Sequence, residues 1–150
     1  MKIVPLYQNK KLVFYYADTS TALQLPFVET GISAGFPSPA DDFLELTIDL
    51  NKELVKHPST TFIGKVRGHS MQDADLKNGD LVMIDRSLEA NDGNIAVCVI
   101  NGEFTIKRIR KDKDCIWLVA ENKKYKPIKV TIDDDFTVWG IVTNIIKTVL

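Results

Sequence analysis

The stretch Ile95-Ala96-Val97-Cys98-Val99-Ile100-Asn101-Gly102-Glu103-Phe104-Thr105-Ile106-Lys107-Arg108-Ile109 reads as two strands joined by a tight turn. An apolar run enters Asn101-Gly102, a dipeptide that readily takes positive φ at both positions and so suits a two-residue hairpin loop. Beyond the turn the side chains alternate, with Phe104, Ile106 and Arg108 on one face and Thr105, Lys107 and Ile109 on the other. Lys107 therefore stands among apolar neighbours. Exclusion from water destabilises the charged form of a lysine, so its pKa is expected to fall and its neutral amine to serve as a general base. A slip of one residue would turn Lys107 to the opposite face, so this hairpin sets the register that such chemistry needs.

Upstream stands the partner such a base requires. Gly68-His69-Ser70-Met71 places a serine on a glycine-preceded turn, followed closely by Asn78-Gly79-Asp80. A serine hydroxyl is a poor nucleophile until a base takes its proton. His69 is adjacent to Ser70, but neighbouring side chains on an extended chain point apart, which leaves Lys107 as the better candidate base. Gly68 allows a sharp turn that presents the hydroxyl and leaves the backbone amides of His69 and Ser70 as oxyanion donors. Taken alone, the pair reads more readily as a turn serine and an exposed strand lysine than as a catalytic pair.

Outward from these two stretches, further strands are expected over 62–66, 81–84, 115–119 and 136–148, with two more short runs at 1–6 and 11–16. Leu46, Leu50 and Leu54 at fourfold spacing predict a helix over 42–56, stopped by Pro58. The fold class is mainly β: short strands forming a partly barrel-like sheet, with a short helix and an N-terminal arm. Two glycines and two prolines in Gly31-Ile32-Ser33-Ala34-Gly35-Phe36-Pro37-Ser38-Pro39-Ala40 argue for an extended linker, and the small Ala34 and Gly35 leave the bond between them sterically open.

Composition narrows the functional classes. The 150 residues are 45% hydrophobic and 26% charged with a formal net charge of −1, so overall charge gives no sign of a nucleic-acid binder. Arg108, Arg110, Lys111 and Lys113 form a local basic cluster, read as a solvated hairpin tip. With neither a long apolar span nor a leader pattern, the protein is expected in the cytoplasm, away from membranes. Cys98 and Cys115 are read as reduced core or near-core residues, and nothing arranges either with His57 or His69 as a nucleophilic pair. Asp80 and Asp85 lack a third ligand at useful spacing and are read as turn and strand-end residues, so neither a metal nor a cofactor is expected. Trp117 and Trp139 are read as core or interface aromatics, and Asp133-Asp134-Asp135 as a charged loop.

The stretch from Gly68 to Lys107 resembles the self-cleaving serine peptidase domain shared by LexA-type repressors and UmuD-type SOS mutagenesis proteins. In that family a Gly-x-Ser-Met turn carries the nucleophile, a Gly-Asp follows, and a Glu-x-Thr-x-Lys-Arg strand carries the base; all three stand here in order. Phe36-Pro37-Ser38-Pro39-Ala40, Ile48-Asp49-Leu50-Asn51 and His57-Pro58-Ser59 are similar to the UmuD branch just after its cleavage point, covering roughly residues 34–147. One departure is visible: Ala34 occupies the position before the cleaved Gly where UmuD-type proteins carry Cys, as in LexA-type repressors.

The resemblance implies cleavage of the chain's own Ala34-Gly35 bond by a Ser70/Lys107 dyad. It divides the chain into an arm of residues 1–34 and a peptidase and dimerisation domain of residues 35–150. It further implies a homodimer, activation by a RecA–single-stranded DNA filament after DNA damage, and service of the shortened product as accessory subunit of a Y-family, UmuC-like translesion polymerase. Residues 1–34 hold no helix-turn-helix pattern, so direct sequence-specific DNA binding is not expected. Three alternatives remain: a repressor-like regulatory protein without a DNA-binding headpiece, a signal-peptidase-like enzyme acting on other chains, and an inactive dimerising scaffold.

Overall fold

The computed structural model describes residues 2–8, 12–27 and 46–150. Period-two alternation prevails over helical periodicity, and these segments fold as β1 (Lys2–Gln8), β2 (Leu12–Asp18), β3 (Gln24–Phe27), β4 (Leu46–Asp49), β5 (Thr61–Val66), β6 (Leu81–Asp85), β7 (Ile95–Ile100), β8 (Glu103–Lys111), β9 (Ile116–Val119), β10 (Ile128–Val130) and β11 (Phe136–Ile146). A single α-helix, α1 (Leu50–Leu54), is found among the described residues. One antiparallel nine-stranded sheet runs β1-β2-β5-β6-β11-β7-β8-β9-β10, and β3 pairs with β4 beside it. The mainly β expectation, with one short helix, is borne out.

The helix expected over 42–56 shrinks to the five residues Leu50–Leu54. Residues 42–45 lie outside the described residues, and Leu46–Asp49 is the strand β4, with Ile48 opposite Leu25 and Thr47 opposite Pro26. A fourfold spacing is also an even spacing, so a strand satisfies it as readily as a helix, and β-branched Thr47 and Ile48 tip the balance. Asp49 then starts the helix: its carboxylate accepts from the Asn51 amide at 3.0 Å and from the Leu23 amide at 3.1 Å. The strands β3 and β10, of four and three residues, went unread.

Alternate residues of β7 feed two cores on opposite faces of the sheet. Val97 joins Phe14, Val82, Ile84 and Ile106 in one, while Ala96 and Cys98 join Ile109, Leu118 and Ile141 in the other. Phe14 of β2 is 1% exposed, with its ring centroid 4.5 Å from Trp139 and 5.0 Å from Phe104. Trp139 is thus a core aromatic, as expected. Because β2 pairs with β5 from Leu12 opposite Val66 to Tyr16 opposite Phe62, part of the expected arm is built into the main sheet.

The β7–β8 hairpin turns at Asn101-Gly102 with φ of 50° and 80°, the left-handed pair of a two-residue loop. Its register sets Cys98 opposite Thr105 and Ala96 opposite Lys107. The Asp133-Asp134-Asp135 loop is more than a charged surface. Asn101 donates through Nδ2 to Asp134 at 3.0 Å and through its amide to the Asp135 carbonyl at 2.7 Å, and accepts from the Asp135 amide at 3.0 Å. The turn that registers Lys107 is therefore clamped from outside.

Candidate active site

The Gly68–Met71 turn begins where β5 ends. Gly68 has φ of +98°, a region costly for any side chain, and its amide donates to Asn78 Oδ1 at 3.0 Å. The Gly79 amide donates to the Val66 carbonyl and the Val66 amide to the Asp80 carbonyl, both at 2.9 Å. The Asn78-Gly79-Asp80 turn thus clips onto the end of β5 and holds residues 67–71. On the far side Met71, 3% exposed, anchors the turn in the core. Ser70 is left half-buried between these two anchors.

Lys107 meets it from β8. The side chain is 8% exposed, and its Nζ lies 3.2 Å from Ser70 Oγ, 2.7 Å from Thr105 Oγ1 and 3.1 Å from the Ile106 carbonyl. A cleft of about 150 Å³ opens over this pair, with Arg67 and Tyr125 among its walls. Among the described residues the amides of His69 and Ser70 donate no hydrogen bond, so both are available to an incoming oxygen. The His69 side chain is exposed, as its turn position suggests. Ala34 and Gly35 lie outside the described residues, together with the linker expected around them.

Cys98 and Ser87 are poorly placed as rival nucleophiles. Cys98 is fully buried, and burial, only partly offset by the nearby Lys107 charge, pushes its thiol up to about 12. His57 is bound to Asp85 through Nδ1. Ser87 Oγ lies 3.3 Å from that same ring nitrogen, so the His57, Asp85 and Ser87 cluster lacks the two-sided imidazole of a catalytic triad. Asp80 takes the turn role: it accepts from the Lys77 amide at 2.8 Å and pairs with Lys147 at 2.5 Å.

One expectation is corrected. Arg108 is not part of a solvated hairpin tip: it is half-buried, pairs with Glu121, and donates to the Gly93 carbonyl at 2.7 Å. The segment that receives it went unread in the sequence. Asn122 Nδ2 donates to the His69 carbonyl at 2.7 Å, the Asp73 amide donates to the Glu121 carbonyl at 2.8 Å, and the Glu121 amide rests on Met71 Sδ at 3.4 Å.

A family model described as Peptidase S24-like matches residues 26–143. The chain belongs to the S24-like peptidase family. It is 37% identical to the protein MucA of Salmonella typhimurium over 134 residues, 88% of this chain and 90% of that one. It is 33% identical to the protein ImpA of Shigella flexneri over 122 residues, 81% and 82% of the two chains. Against the LexA repressor of Acidithiobacillus ferrooxidans identity is 34% over 119 residues, 77% of this chain and 58% of the repressor. The kinship with LexA-type and UmuD-type proteins read from the motifs is borne out. No helix among the described residues is long and apolar enough to cross a membrane.

Proposed function

We propose that this S24-like peptidase is a self-cleaving serine endopeptidase that cuts its own Ala34-Gly35 bond with Ser70 as nucleophile and Lys107 as base. The observation that carries the reading is the 3.2 Å approach of a lysine only 8% exposed to a turn serine. Burial disfavours the ammonium form, so the neutral amine is within reach at ordinary pH. In that state two N–H bonds serve Thr105 Oγ1 and the Ile106 carbonyl, and the lone pair faces the Ser70 hydroxyl.

Lys107 takes the Ser70 proton as Oγ attacks the Ala34 carbonyl carbon. The amides of His69 and Ser70 receive the oxyanion, and Lys107 returns the proton to the Gly35 nitrogen as the Ala34–Gly35 bond breaks. Water, deprotonated by the same amine, hydrolyses the acyl-enzyme. A tethered substrate has a high effective concentration, so control falls on how often the arm adopts the reactive pose and Lys107 is neutral.

The UmuD-type resemblance supports the cellular role. Residues 1–34 are removed after DNA damage under a RecA–single-stranded DNA filament, and the homodimeric product serves a Y-family, UmuC-like translesion polymerase in the cytoplasm. The chemistry is tested by pH: with no partner present, self-cleavage of the purified protein accelerates from neutral to mildly alkaline pH. A flat rate across that range contradicts a lysine base.

A further inference from the structure

We propose that Asn122 is a positioning residue that aims the Ser70 amide into the oxyanion site, and that with Glu121 it forms a bracket holding nucleophile and base together. The proposal rests on the reading of Ser70 as nucleophile and Lys107 as base. Its starting point is the peptide unit between His69 and Ser70. The carbonyl of His69 and the N–H of Ser70 are opposite ends of one planar trans group, so fixing one direction fixes the other. Asn122 Nδ2 holds that carbonyl at 2.7 Å and the Gln72 amide adds a longer bond at 3.3 Å. The Ser70 N–H is thereby turned to the other side, with no acceptor among the described residues.

Asn122 is itself built in. It is 7% exposed, and its Oδ1 accepts from the Lys124 amide at 3.0 Å, which leaves Nδ2 for His69. Glu121 extends the grip in both directions. Its carbonyl and amide hold Asp73 and Met71, flanking the nucleophile turn, while its carboxylate pairs with Arg108, next to Lys107 on β8. Two adjacent residues thus join the Ser70 turn to the Lys107 strand, and Asn122 sets the peptide plane between them.

The test compares the full chain with Asn122→Ala and Asn122→Asp, following self-cleavage by intact mass across neutral to alkaline pH, with thermal melting alongside. Asn122→Asp keeps an acceptor for the Lys124 amide but replaces the donor to His69 with a carboxylate oxygen, so it tests aiming with the loop anchor retained. Loss of one oxyanion donor costs about 10²–10³ in rate, so a mis-aimed one is expected to lower the alkaline plateau on the order of 10–100-fold in both variants. For Asn122→Ala the half-maximal pH stays at the wild-type value, because the base is untouched. Either variant cleaving within about twofold of wild type would overturn the proposal, because an aimed donor carries a far larger effect. So would a loss that appears only as a shifted half-maximal pH, or global unfolding of both variants. An uncut wild type overturns this inference and the dyad reading together, whereas a cut wild type with fast variants overturns this inference alone.

Discussion

At the scale of the residue, Lys107 and Asp85 are two buried ionisable groups with different surroundings. Lys107, 8% exposed, has its Nζ within hydrogen-bond distance of Thr105 Oγ1, the Ile106 carbonyl and Ser70 Oγ. Asp85, 3% exposed, is held charged: burial pushes its carboxyl up, but bonds from His57, Ser87 and Thr60 outweigh that and bring it to about 2, against an ordinary 3.8. A carboxyl depressed on folding stabilises the fold above its unfolded value and loses that contribution as pH falls towards the folded one. The window here runs from about 3.8 down to about 2, and the difference corresponds to about 2 kcal/mol. Asp85→Asn is therefore expected to lower urea stability at neutral pH by about that amount and to flatten its decline in acid; equal stability of the two proteins at neutral pH contradicts this. The face on which Lys107 stands was legible in the sequence because strand alternation says which way a side chain points, and Ser70 was singled out by its glycine-preceded turn. Asn122 was not, because its bond to His69 spans 53 positions and leaves no local pattern.

The decisive element is the β7–β8 hairpin. Its turn was legible from Asn101-Gly102 alone, and with it the face on which Lys107 stands. The brace from Asp134 and Asp135 was not legible, because those residues join the turn from more than thirty positions away. Helix 42–56 was misread for a different reason: an even spacing of leucines does not separate helix from strand, and the pairing of β4 with β3 decides it. Register governs function here more than stability. Deleting Gly102 is expected to abolish cleavage by turning Lys107 off its face while leaving far-ultraviolet dichroism and cooperative melting largely intact. Cleavage surviving in the turn-deleted variant would sink the hairpin account.

Across the whole molecule, part of the segment proposed for removal is also part of the sheet. β2 pairs along β5, and Phe14 fills a pocket between Trp139 and Phe104. Burying one such side chain stabilises by roughly 1.5–3 kcal/mol, so cutting a peptide bond does not by itself release the arm. The two fragments are expected to co-elute on size exclusion after cleavage, and Phe14→Ala to separate them; fragments that part at once in the wild type contradict this. The central claim is met most directly by the intact mass of the purified full chain during incubation at mildly alkaline pH, beside Ser70→Ala and Lys107→Ala. The account expects one cut, between Ala34 and Gly35, in the wild type and none in either variant. A wild type that stays whole even with a recombinase filament on single-stranded DNA, or a cut that persists without Ser70 or Lys107, would contradict it.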